Sequence, residues 1–157
     1  AVNKGILVDE HMETNLKGIY AAGDAAEGFD MLANARKPIL TWSNGSAQGK
    51  IAGANMAGNK TDFEGGLAQN TLKYFDVSFA SAGLHTPPEG QEYKIMCELS
   101  PERNFYKKLV LKGNRVVGLL GIGKPVDRSG VFLGLIKTGS SVESLMPSLF
   151  QKWGKSN

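Results

Sequence analysis

The predicted fold depends first on the stretch Thr14-Asn15-Leu16-Lys17-Gly18-Ile19-Tyr20-Ala21-Ala22-Gly23-Asp24. Residues 19–22 are an apolar run of strand length, and this run stops abruptly at Gly23-Asp24, as a buried strand does where it ends in a crevice. Ligands of open α/β sheets bind at such ends. Small residues before Asp24 leave room for a ligand, and its carboxylate can accept a hydrogen bond from a polyol hydroxyl. Gly-Asp is equally common in ordinary turns, so the residues alone leave both interpretations open.

Residues 42–58 are predicted to form the helix that follows this strand. Thr41 or Ser43 can cap its first amides, and Gly58-Asn59 is a typical C-terminal signal. Small residues recur at every fourth position, namely Gly45, Gly49, Gly53 and Ala57. Each glycine destabilises a helix by about 1 kcal/mol relative to alanine, so this ridge predicts a face pressed against another backbone or a ligand.

Together these stretches resemble the second flavin fingerprint of the FAD-dependent pyridine nucleotide-disulfide oxidoreductases. That fingerprint consists of a threonine, a short spacer, an apolar strand and Gly-Asp, and Thr14, Gly23 and Asp24 stand in the matching places. The resemblance continues through residues 48–58, 80–84 and 106–123. Its nearest branch is similar to NADH oxidases, the reductase part of nitrite reductase and rubredoxin-reductase-like proteins.

The resemblance implies a set of FAD-binding residues. In the family, the aspartate that matches Asp24 holds a ribityl hydroxyl of FAD, and Gly23 precedes it at the strand end. The following helix directs its N-terminus, which carries roughly half a positive charge, at the pyrimidine edge of the flavin. Backbone contacts from Thr41 and Trp42 to FAD are therefore expected.

Other parts of such an enzyme are missing from the sequence. It contains no Gly-x-Gly-x-x-Gly for the FAD pyrophosphate, no second one for NAD(P)H, and no upstream redox cysteine. The expected function is thus the C-terminal part of a flavoenzyme that transfers electrons from NAD(P)H through FAD to an acceptor. NAD(P)H would bind outside this piece, and the piece alone would be inactive. The alternative is a stand-alone protein-interaction module whose Gly-Asp turn is structural.

The predicted fold combines α/β and α+β parts. Residues 1–62 are assigned as the returning, Rossmann-like segment of the FAD-binding domain, and residues 63–157 as an α+β C-terminal domain with an antiparallel sheet and two helices. Strands are expected at 5–8, 19–22, 72–75, 77–80, 92–99, 104–112 and 115–123, and a loop at 27–37. A helix is expected to end at Gly139. A last short helix would begin with the capping box Ser140-Ser141-Val142-Glu143 and be disturbed by Pro147.

The amino-acid composition limits the kinds of partner that this chain is expected to have. The 157 residues are 41% apolar and 21% charged with a net charge of +3, and the scattered basic residues argue against nucleic-acid binding. No apolar run approaches the roughly 20 residues of a membrane span, so a cytoplasmic protein without membrane partners is expected. The remainder of its own polypeptide and a second copy of the chain are the expected partners.

A histidine and the single cysteine are both predicted to have no catalytic role. His85 precedes Thr86-Pro87-Pro88-Glu89, which resembles the histidine-glutamate pair of the disulfide reductases, but three predicted strands follow it, so a surface-loop histidine is predicted. Cys97, the single cysteine, is predicted to be a buried structural thiol. No catalytic residue and no metal site is expected in this chain.

Overall fold

The computed structural model describes residues 1–145, and these form two compact units. The first unit comprises Ala1–Gln69 and the second begins at Asn70. The division thus falls seven residues after the predicted boundary at residue 62.

The first unit contains a small sheet and one long helix. Its elements are β1 (Ile6–Leu7), a 3-10 turn (Gly23–Ala25), β2 (Ala26–Asp30), β3 (Ala35–Lys37) and α1 (Trp42–Met56). Strand β2 lies in the middle, parallel to β1 and antiparallel to β3. The predicted first strand and the predicted helix at 42–58 are confirmed in position.

The predicted strand at residues 19–22 is wrong. Tyr20 makes only an isolated bridge with Glu13, and Ile19 is 52% exposed. The chain turns back at Gly18, which has φ 80°. The turn is closed by a hydrogen bond from the Thr14 N–H to the Ile19 carbonyl over 2.8 Å. The apolar residues after this turn pack on the core of the unit without joining the sheet.

The predicted loop at 27–37 is also wrong, since β2 and β3 form a hairpin there. Asp30 closes it: one carboxylate oxygen accepts the amides of Leu32 and Ala33 at 2.9 and 2.8 Å, and the other lies 2.9 Å from Lys37 Nζ. A side chain thereby supplies acceptors for the turn amides.

The core of the first unit brings distant segments together. Its buried members are Val8, Met12, Ala26, Ala52 and Phe63. Phe63 also donates its amide to the Glu10 carbonyl over 2.7 Å. These contacts explain why the first unit extends beyond residue 62, because a core residue follows the predicted boundary.

The second unit is a five-stranded sheet in the order β4-β5-β8-β7-β6 with one long helix. Its elements are β4 (Gln69–Tyr74), β5 (Val77–Gly83), β6 (Lys94–Ser100), β7 (Phe105–Lys112), β8 (Arg115–Ile122) and α2 (Ser129–Thr138). The pairs β5–β8, β6–β7 and β7–β8 are antiparallel. The predicted α+β architecture with an antiparallel sheet is therefore confirmed, and the described residues contain two α-helices, α1 and α2.

Local signals set the elements of this unit. Lys112 pairs with Arg115 across the two-residue turn that starts at Gly113 (φ 56°), and Gly139 (φ 60°) ends α2 in the left-handed conformation. Leu109 and Leu119 form a buried cross-strand pair. Helix α2 packs against β8 and is itself anchored by two buried side chains, Phe132 and Ile136.

The chain after α2 returns to the sheet and then leaves the described range. Arg115 forms a bridge with Ser141, and the fully buried Val142 donates its amide to the Asn114 carbonyl over 2.8 Å. A 3-10 turn at Glu143–Leu145 follows. The predicted last helix around Pro147 lies outside the described residues. Within residues 1–145, no helix has the length and apolar character needed to cross a membrane.

Candidate functional site

Helix α1 is anchored by amide side chains. Its buried residues are Asn44, Gln48 and Ala52, which follow one another at four-residue spacing along one face. Asn44 Nδ2 donates to the Ile39 carbonyl over 3.2 Å, and Gln48 Oε1 accepts the Gly23 amide over 2.8 Å. The start of the helix is thereby joined to the loop before it and to the turn at Gly23–Ala25.

The turn and the helix approach each other closely. Gly23 has φ 79°, a conformation that favours glycine, and a Cβ built on Gly45 would lie 3.3 Å from the Gly23 Cα. Asp24 follows immediately and is exposed. The small residues therefore bring the Asp24 carboxylate beside the first turns of α1.

A concavity of about 380 Å³ lies at this place, within the range of small-molecule sites. Its lining consists of Asp24, Leu40, Thr41, Trp42, Gly45 and Ser46. Three of the four residues expected to contact a cofactor thus share one surface, and the fourth, Gly23, lies against Gly45. Leu40 and Ser46 were not among the sequence candidates. Their only sequence signal is proximity to the helix start, one residue before Thr41 and four residues after Trp42.

The helix start carries unused polar groups. Thr41 has extended backbone at the N-cap position, but its side chain caps no amide. Its Oγ1 and the Oγ of Ser43 are buried without a hydrogen-bond partner among residues 1–145. The first turn itself contains no acidic residue, so Asp24, from the neighbouring turn, supplies the carboxylate at the positive end of the helix dipole. The first amides of the helix, together with the Asp24 carboxylate, suit a polar ligand that has both donors and acceptors.

The glycine ridge behaves differently at its two ends. Gly45 abuts the Gly23 turn, as the prediction of a pressed face requires. Gly49 and Gly53 are exposed, and Cβ atoms built on them would meet no described atom within 4 Å. Close packing within the described part of the chain accordingly explains only the first glycine.

Two reactive side chains lie outside this site, His85 and Cys97. His85 is exposed in a loop, as predicted. Cys97 is a free, exposed thiol, so its prediction as a buried residue is wrong. It lies on β6, an edge strand, and Ile95 and Leu99 on the same strand face are 51% and 66% exposed. Because β6 lies at the edge of the sheet, this face of the strand is open.

Each of the two units matches a known protein family model. Residues 1–49 match the family model for pyridine nucleotide-disulphide oxidoreductase, and residues 69–139 match the rubredoxin NAD+ reductase C-terminal domain. In both units the chain is similar to the pyridine nucleotide-disulphide oxidoreductases. It is 30% identical over 151 residues to nitrite reductase [NAD(P)H] of Bacillus subtilis, covering 96% of this chain and 18% of that protein.

Solved structures of the same family have the same fold. The NAD-dependent persulfide reductase from A. fulgidus is matched with a TM-score of 0.76 and 27% identity, over 91% of this chain and 29% of that one. NADH:rubredoxin oxidoreductase from Clostridium acetobutylicum is matched with a TM-score of 0.68 and 27% identity, over 91% and 35%. The chain therefore spans about a third or less of each of these pyridine nucleotide-disulphide oxidoreductases.

Proposed function

We propose that this chain is the C-terminal part of an enzyme that transfers electrons from NAD(P)H through FAD to an acceptor. The single observation that carries the proposal is the shared concavity, in which Asp24 lies beside the start of α1. The names of the relatives, which include an NAD(P)H nitrite reductase, support pyridine-nucleotide chemistry. FAD, when bound, supplies the hydride-accepting and electron-transferring group.

The residues of this site have complementary tasks toward FAD. Asp24 presents an exposed carboxylate, which can accept a hydrogen bond from a ribityl hydroxyl. Thr41 and Trp42 begin the helix, where unpaired amides and the positive end of the dipole favour the electron-rich edge of a flavin. The chain's own chemistry here is binding, orientation and electrostatic stabilisation.

The remaining functions fall to other parts of the enzyme. Residues 1–157 lack the glycine-rich phosphate-binding motif. In this proposal NAD(P)H therefore binds to another part of the enzyme. We assign the enzyme to the cytoplasm and to a homo-oligomer in which residues 63–157 serve as the interface domain. The alternative of a stand-alone interaction module accounts less well for an exposed aspartate beside unpaired groups of a helix start.

The test is FAD binding by the full-length protein with Asp24→Ala. Loss of one acceptor to a bound hydroxyl should weaken FAD affinity about 10- to 100-fold, which corresponds to roughly 1–3 kcal/mol. Fluorescence titration of the apoprotein with FAD gives the dissociation constant. Asp76→Ala is the matched control, because the Asp76 side chain is fully exposed on a distant stretch of sequence. Equal FAD affinity in Asp24→Ala and the unmodified protein would contradict the assignment.

A further inference from the structure

Gln48 is an unusual residue for the inner face of a helix. Its side chain is completely buried, whereas glutamine is mostly found exposed in proteins. Burying an amide is unfavourable unless it forms hydrogen bonds. Its Oε1 makes one such bond, to the amide of Gly23, a residue 25 positions earlier in the chain. The Gln48 side chain therefore has a specific partner, the backbone of the turn that carries Asp24.

The turn that donates this bond is short and has no side-chain cap. Gly23–Ala25 is only three residues long, and 3-10 segments have poorer hydrogen-bond geometry than α-helices. Ala22 at its N-cap position provides no side-chain cap. Gly23 itself adopts φ 79°, and glycine loses more conformational freedom on ordering than any other residue. The Ala26 N–H donates to the Gly23 carbonyl within this segment, and the Gln48 acceptor adds a restraint from outside it.

A second glycine makes room for the Gln48 amide. A Cβ built on Gly28, in the middle of β2, would lie 2.4 Å from Gln48 Nε2 and 3.2 Å from Phe63 Cε1. A side chain at position 28 would therefore have to displace the Gln48 amide. The sheet, the helix and the turn meet at this one side chain.

We propose that Gln48 is a positioning residue for FAD: its amide holds the Gly23–Ala25 turn in the conformation that presents Asp24 to the cofactor. This inference rests on the proposed function. Gln48 is buried behind the turn and does not line the concavity, so it acts through Gly23 and Asp24 and not by touching the ligand.

The first test is Gln48→Met, which keeps the length of the side chain and removes the acceptor. In the full-length apoprotein, FAD affinity should fall about tenfold, which corresponds to roughly 1.4 kcal/mol. A double-mutant cycle with Asp24→Ala then separates positioning from general support. If Gln48 acts through Asp24, the Asp24→Ala substitution should lose most of its effect in the Gln48→Met background. Fully additive effects would overturn the proposal.

A second measurement needs no cofactor. Hydrogen–deuterium exchange of the apoprotein, followed by mass spectrometry of a peptide covering residues 19–26, reports on the Gly23 amide. Gln48→Met should raise exchange in this peptide while peptides from β7 and β8 stay unchanged. Unchanged exchange at residues 19–26 would show that the bond does not restrain the turn, and the proposal would fail.

A glycine pair provides a matched comparison. Gly28→Ala should displace the Gln48 amide and reproduce both effects of Gln48→Met. Gly134→Ala on α2, whose Cβ would meet no described atom within 4 Å, should leave FAD affinity unchanged. Normal FAD affinity in Gly28→Ala would count against the proposal. If Asp24→Ala weakens FAD binding and Gln48→Met does not, only the role of Gln48 is overturned. If Asp24→Ala also has no effect, the proposed FAD site itself is contradicted.

Discussion

Replacing Asp30 should open the β2–β3 hairpin locally. The residue is only 3% exposed, and one of its carboxylate oxygens accepts the amides of Leu32 and Ala33 at 2.9 and 2.8 Å. Hydrogen bonds to a charged acceptor each contribute about 1.5–3 kcal/mol. Lys37 is about half exposed, so its ion pair with Asp30 adds less than about 1 kcal/mol. Asp30→Ala should therefore destabilise the hairpin by about 3–6 kcal/mol.

Hydrogen–deuterium exchange of a peptide spanning residues 26–37 measures this loss where it occurs. A change of about 3 kcal/mol should lower protection more than a hundredfold. Asp30→Asn keeps an acceptor oxygen and should lose less than half as much, while Lys37→Met should reduce protection by less than about fivefold. Protection in Asp30→Ala equal to that of the unmodified chain would refute the assigned role of the carboxylate. Equal losses in the Ala and Asn variants would show that charge, not acceptor geometry, stabilises the turn.

Three further substitutions test other contacts. Asn55→Ala removes an amide that bonds the Thr61 N–H at 3.1 Å and its carbonyl at 2.7 Å, so urea denaturation should show a loss of about 1–3 kcal/mol. A hydrogen bond from Ser100 lowers the pKa of Glu102, and Ser100→Ala should raise that pKa toward its ordinary value in an NMR titration. An unmoved pKa would contradict the bond. Leu109→Ala in the second unit should lower the free energy of unfolding by about 2–5 kcal/mol.

The sequence predicted those elements whose signals are local. Helix α1 has an end signal at Gly58, and the β7–β8 hairpin has a two-residue turn at Gly113 between alternating runs. Strand β2 was missed because two of its five residues, Glu27 and Asp30, are charged, and apolar periodicity cannot recognise such a strand. Glu27 is nevertheless buried. Its carboxylate accepts a hydrogen bond from the Gly5 amide over 2.7 Å, which offsets part of the unfavourable loss of water. Its partner lies 22 positions away and leaves no pattern in the local sequence.

The candidate site shows the same limit. Asp24, Thr41 and Trp42 could be singled out in advance because they stand in the fingerprint and at the start of the helix. Gln48 could not, because its importance depends on a bond to Gly23 that exists only once the helix and the turn have met. Residues that hold a site in place are recognised from the distances between segments, which the order of residues alone does not give.

The amide-rich inner face of α1 also has a consequence for the order of folding. The helix contains three glycines, each of which weakens it by about 1 kcal/mol, and isolated helices shorter than about 12–15 residues are marginal even in favourable sequences. Its stability therefore depends on tertiary contacts, among them the bonds from Gln48 to Gly23 and from Asn55 to His11 and the core packing of Ala52. Helix α1 and the turn at Gly23 should consequently become ordered together and late, whereas the β7–β8 hairpin, whose contacts are close in sequence, can form early.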